Sequence, residues 1–86
     1  MPKVCRWRGI AIEMYRPDHV PAHFHALYAE YEARIAIDTL DVLTGDLPKP
    51  VLREVLAWAA SRRAELLENW ELCRRNLPTK TIAPPP

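Results

Sequence analysis

Cysteine is scarce in this chain: of 86 residues, only Cys5 and Cys73 carry a thiol. Two are too few for a disulfide framework, and their spacing is not that of a paired metal-ligand motif. They read as ordinary buried thiols in a reducing compartment. A charge excess is missing too, with 12 Lys and Arg against 11 Asp and Glu and a net charge of +1. Strong nucleic-acid binders carry a clear basic excess. Only a local patch, Arg62, Arg63, Arg74 and Arg75, speaks for that class, and Glu65, Glu68 and Glu71 dilute it. Long apolar runs are absent as well. No stretch approaches the roughly 20 residues that span a bilayer. Val4 to Ile12, broken by Arg6 and Arg8, does not read as a signal peptide. No phosphate loop, nucleophile–base–acid triad or internal repeat is visible. The expectation is a cytoplasmic protein of bacterial type with no membrane attachment.

What is present is an ordinary globular balance, 49% hydrophobic and 27% charged. A chain of this length makes one domain and buries only roughly 60% of its unfolded surface. So thin a core invites a protein partner or a homodimer.

Residues 4 to 15 alternate, with Ile10, Ile12 and Met14 on one face and Ala11, Glu13 and Tyr15 on the other. That period of two predicts a half-buried strand, ended by Arg16, Pro17 and Asp18. A second alternation runs from His23 to Ala29, setting Phe24, Ala26 and Tyr28 against His23, His25 and Leu27. A third, Ala33 to Asp38, sets Ala33, Ile35 and Ile37 against Arg34, Ala36 and Asp38. A short fourth, Leu40 to Leu43, ends before Gly45. Short connections between successive runs predict antiparallel hairpins.

The period then becomes helical. Pro48 and Pro50 suit a first turn. Leu52, Leu56, Ala59, Leu66, Trp70, Cys73 and Leu77 keep a three-then-four spacing, widened by Val55, Trp58 and Leu67 and broken near Ser61, Arg62 and Arg63. One long helix or two with a kink both fit. Trp58 and Trp70 read as core or interface, and Pro78 stops the helix. The expected fold is α+β: an antiparallel β-meander of three to four strands, then one long or two short amphipathic helices packed on one face. The domain is expected over residues 1–77, followed by a proline-rich, mobile tail over 78–86.

Every histidine lies in one segment, Asp18-His19-Val20-Pro21-Ala22-His23-Phe24-His25. His23 and His25 are two apart on a strand, so their imidazoles share a face and can chelate one ion. His19 sits in the preceding turn and is placed to swing in as a third ligand. Imidazole suits zinc, copper, nickel or iron, so the implied cofactor is a divalent transition metal without further choice. If the first two strands pair about residues 16 to 22, Tyr15 faces His23 and Glu13 faces His25. Pairing Tyr28 with Ile35 keeps both core faces aligned and sets Asp38 opposite His25. His25 would then lie between two carboxylates. Such a site suits metal binding by His19, His23, His25 and Asp38, or acid–base catalysis by His23 and His25 with Glu13 as orienting carboxylate. A solvated strand face whose histidines only cover apolar neighbours fits the same pattern.

The chain resembles the bacterial domain-of-unknown-function family numbered 4160 from about Met1 to Leu77. The resemblance rests on Gly9-Ile10, Met14-Tyr15, the Asp18-His19-x-Pro21-x-His23-Phe24-His25-Ala26 signature, Tyr31-Glu32-Ala33, Asp38, Leu47-Pro48 and Glu68-Asn69-Trp70. Ala22 departs from it, where the family commonly has a second proline. The family has no settled activity. Its members are often encoded beside a short protein of the unknown-function family numbered 2442, an arrangement similar to a toxin–antitoxin module. The resemblance therefore implies a protein partner. Three functions stand open: a protein-binding module, a small nuclease toxin or metal-dependent hydrolase, and a regulatory or inhibitory adaptor without catalysis.

Overall fold

The structure is a computed structural model and describes residues 3–15 and 21–86. Five strands come first: β1 (Lys3–Trp7), β2 (Ile10–Glu13), β3 (His23–Tyr28), β4 (Tyr31–Ala36) and β5 (Val42–Asp46). Two helices follow, α1 (Lys49–Ser61) and α2 (Arg63–Arg74). The strands form one antiparallel sheet in chain order, an up-and-down meander. The α+β expectation holds, with one strand more than expected.

The extra strand comes from splitting the first alternating run. Arg8 and Gly9 both have positive φ, 46° and 78°. That is the backbone of a two-residue hairpin turn, here closed by the Trp7–Ile10 pair. The third hairpin turns at Ala29 and Glu30, with Tyr28 opposite Tyr31. Ala29 sits at φ 52°, a position where Gly or Asn would have announced the turn. This corrects the expected pairing of Tyr28 with Ile35. Each β3 residue now meets a partner four positions earlier on the next strand. Shifting by an even number keeps both faces intact, so the core survives the change.

Cross-strand partners share a face. Trp7, Ile10, Ile12, Phe24, Ala26, Ala33 and Ile35 make the inner face, and all are buried. The helices cover it. Trp58 of α1 lies 5.2 Å from the Trp7 ring and 6.2 Å from the Phe24 ring, while Val55, Ala59 and Leu66 fill the space around them. Trp7 Nε1 and Arg8 both donate to the Glu54 carboxylate, at 3.1 and 3.0 Å, tying the first hairpin to α1.

Between the helices Arg62 has left helical geometry (φ −122°, ψ 21°), so the break around Ser61–Arg63 makes two helices. Arg63 Nε donates to the carbonyls of Ile37 and Asp38, both at 3.2 Å, and fixes the start of α2 at the end of β4. The helix closes with Asn76 at φ 59° and the Leu77 N–H bonded to the Leu72 carbonyl. This is the left-handed cap with its six-to-one bond.

The segment 78–86 was expected to trail free, yet it lies against the domain. Asn69 is buried, and its side-chain amide pairs with both backbone groups of Lys80, at 2.8 Å each. Ile82 is 1% exposed and donates its N–H to the Val4 carbonyl at 2.7 Å, while Trp58 Nε1 donates to the Ala83 carbonyl at 2.9 Å. Prolines remove donors. They do not prevent their neighbours from being bonded.

Candidate functional site

The sheet face opposite the Trp58–Phe24 core carries the polar chemistry. One row across it reads Lys3, Glu13, His25, Arg34 and Thr44, and the next reads Ala11, Leu27, Glu32 and Asp46. Alternation put the histidines on this face, and the hairpin registers decided which groups they meet.

Glu13 lies opposite His25, as the sequence implied. Asp38 does not. The residue across from His25 on β4 is Arg34, and Asp38 sits in the turn beyond that strand, where its carbonyl receives Arg63. The two-carboxylate bracket therefore takes another form. His25 Nδ1 meets the Glu32 carboxylate at 3.1 Å, across the diagonal of the β3–β4 pair. Glu32 thus takes the part expected of Asp38.

Tyr15 follows β2 and closes the cluster. Its hydroxyl donates to the Glu13 carboxylate, and its ring stands edge-on to the His25 ring, 4.6 Å away. Burial, this hydrogen bond and the charges of Glu13 and Glu32 push the phenol up to about 12. Near neutral pH Tyr15 is therefore a fixed donor to Glu13. Glu13 itself is only 7% exposed. A buried carboxylate is costly without a donor, and Tyr15 is one.

His23 is buried beside this group, its ring 5.4 Å from that of His25. Its Nδ1 lies 2.8 Å from the Pro21 carbonyl, which makes that nitrogen the donor. Trp70 of α2 lies against it at 5.0 Å. Two parts of the sequence far apart in the chain, His23-Phe24-His25 and Glu68-Asn69-Trp70, meet here.

The arrangement bears on metal binding in two ways. Both described histidines have Nδ1 against an oxygen, a contact that metal-ligating histidines commonly make. Among the described residues, however, no three His, Cys, Asp or Glu side chains come together as a metal cluster. His19, the expected third ligand, lies outside the described residues, as does Asp18. Of the residues expected at the site, the fold brings Glu13, His23 and His25 together and leaves Asp38 apart.

Glu32, Arg34 and Trp70 belong to the cluster and were not singled out as its members, while Tyr15 was set opposite His23 without a role. The hairpin at Ala29-Glu30 is what delivers Glu32 and Arg34, and nothing in those two residue types marks a turn. Cys5 and Cys73 take no part: both are buried, and burial pushes their thiols up.

The comparisons with known proteins agree with this reading of the motifs. The chain belongs to the family described as Domain of unknown function (DUF4160), whose model matches residues 9–71. That match takes in the histidine segment and ends just after Trp70. No curated protein and no solved structure matches the chain. Among the described residues, no helix is long and apolar enough to cross a membrane.

Proposed function

We propose that the chain is a small cytoplasmic protein-binding module of a bacterial two-gene, toxin–antitoxin-like system, and that the histidine face of its sheet is the surface that works. The observation that carries this reading is the convergence of Glu13, Tyr15, His23, His25 and Glu32 as one bonded or ring-packed group on the outer face of the sheet, where Trp70 of α2 closes one end. A face needed only for folding has no use for a buried carboxylate and two packed imidazoles, which desolvate at a cost. Within the helical stripe Leu66 and Trp70 are buried, while Leu67 and Leu77 stay exposed. The partner is the adjacently encoded family 2442 protein, and a homodimer is the competing assembly. Co-expression with that neighbour should give a complex that survives gel filtration and is lost in the His25→Ala/Arg34→Ala double variant. A complex unchanged in that variant removes the histidine face from the interface.

A second reading is favoured by the His25–Glu32 pair, in which a carboxylate holds one imidazole nitrogen so that the other could exchange a proton with a reactant. In it His23 and His25 serve as acid and base of a small nuclease or hydrolase, Glu13 holds Tyr15, and Arg34 meets phosphate. Growth arrest on expression that disappears with His25→Ala supports catalysis, whereas arrest retained in that variant sinks it. A divalent transition metal extends either reading. His23 and His25 would hold it with His19 as third ligand, where it would act as a Lewis acid. Elemental analysis of the untagged protein beside His23→Ala/His25→Ala tests this, and equal metal in both removes the site.

A further inference from the structure

The sheet has two edges and protects only one. At β1, the Ile82 N–H is bonded to the Val4 carbonyl, and Asn69 holds Lys80 just before it. At β5, among the described residues, no backbone bond reaches the outer side of the strand. All five of its residues are exposed, including Val42 at 40% and Leu43 at 37%. Of the usual guards of an open edge the strand has a bulge at Leu43 but neither lysine nor proline.

Its charges are also one-sided. Asp46 lies directly across from Glu32, and like charges in that position destabilise a sheet. Glu32 is engaged by His25, whereas Asp46 has no ionic partner among the described residues. Asp41 stands just before the strand, and the first cation after it is Lys49. A cation on a sixth strand would sit beside Asp46 and relieve the pair.

We infer that the outer edge of β5 is a docking strand for an extended segment of another protein, one that sets a lysine or arginine beside Asp46 and an aliphatic side chain beside Val42. Main-chain bonds would supply affinity and those two side chains selectivity. The extra residue at Leu43 interrupts the β4–β5 ladder and Gly45 turns the backbone at φ 77°, so main-chain bonds fall to Thr44 and Asp46, with Val42 as a lateral apolar contact. A second copy of this chain fits less well. Antiparallel self-pairing over the whole strand faces Val42 with Asp46 of the other copy and brings no cation. The inference rests on the binding-module reading and adds the β5 edge to its histidine face.

The test is a titration of the isotope-labelled full chain with a short synthetic peptide of alternating valine and lysine, and with its valine–glutamate counterpart. The lysine peptide should shift the amide signals of Thr44–Asp46 saturably and bind at least about tenfold more tightly than the glutamate peptide, with Asp46→Lys reversing that order. Equal binding of the two peptides, shifts confined to the histidine face, or loss of β5 signals with protein concentration alone would each overturn it. Co-expression separates it from the parent reading. A neighbour protein captured equally by the wild type and by Asp46→Lys removes the edge and keeps the module. A lysine peptide that docks on β5 of a protein that captures no neighbour keeps the edge and removes the module.

Discussion

The two faces of the sheet are made by the same strands and stabilised in opposite ways. On the helix side Phe24, Ile10, Ile12 and Ile35 lie fully inside a cluster closed by Trp58, Val55 and Leu66. Contacts there are many and interchangeable, so the face tolerates a changed neighbour as long as volume is kept. On the histidine side each group has a particular counterpart: Tyr15 on Glu13, His25 on Glu32, His23 on the Pro21 carbonyl and the Trp70 ring. Few contacts are made there, and none can be exchanged. The first face makes the fold and the second depends on it.

The sharpest way to break this contrast is to delete one group from each side. Phe24→Ala removes a fully buried ring that packs on Trp58 and should cost about 3–5 kcal/mol of stability, read by urea unfolding. A cost near that of a surface change would show that the helix side is not the core. Asn69→Ala leaves both backbone groups of Lys80 without their partners and should cost about 1–3 kcal/mol. It should also open residues 78–86 to proteases, and an uncut tail would contradict the clamp. His25→Ala, by contrast, should cost about 1 kcal/mol or less while abolishing whatever the face does. If it destabilises as much as Phe24→Ala, the polar face is structural.

The smallest effect is one of pH. Folding raises the Tyr15 phenol to about 12, from 10.0 for the free group. A raised value means that the protonated form is favoured by the fold. Its contribution is whole below pH 10 and is lost as pH climbs through 12. Unfolding curves between those limits should therefore fall more steeply for the wild type than for Tyr15→Phe, and parallel curves would detach Tyr15 from Glu13.

Side-chain alternation made the faces legible but not their neighbours. A period of two says which residues look the same way, and this placed Phe24 inward and His25 outward. It does not say how far one strand slides along the next, since any even shift gives the same two faces. The turn sets that, and Ala29-Glu30 carries no glycine, asparagine or proline to announce it. Asp38 was therefore set opposite His25, where Arg34 stands. Gly9 lay inside a run whose alternation continues through it, so the first hairpin was hidden in one strand. The helical break at Ser61–Arg63 was visible as a gap in the apolar stripe. The docking of Ile82 was not, because a single apolar residue among prolines has no period, and the receptor amide of Asn69 lies on a helix.

The bond between Ile82 and Val4 also orders events in time. Every strand of the meander pairs with its neighbour in the chain, so the sheet and the groups of Glu13, His25 and Arg34 can assemble from local contacts while synthesis continues. The first strand must wait for a segment that follows both helices. Its outer edge is thus the last surface to close, and a chain held on the ribosome with both helices made but residue 82 still enclosed would present two unguarded edges instead of one.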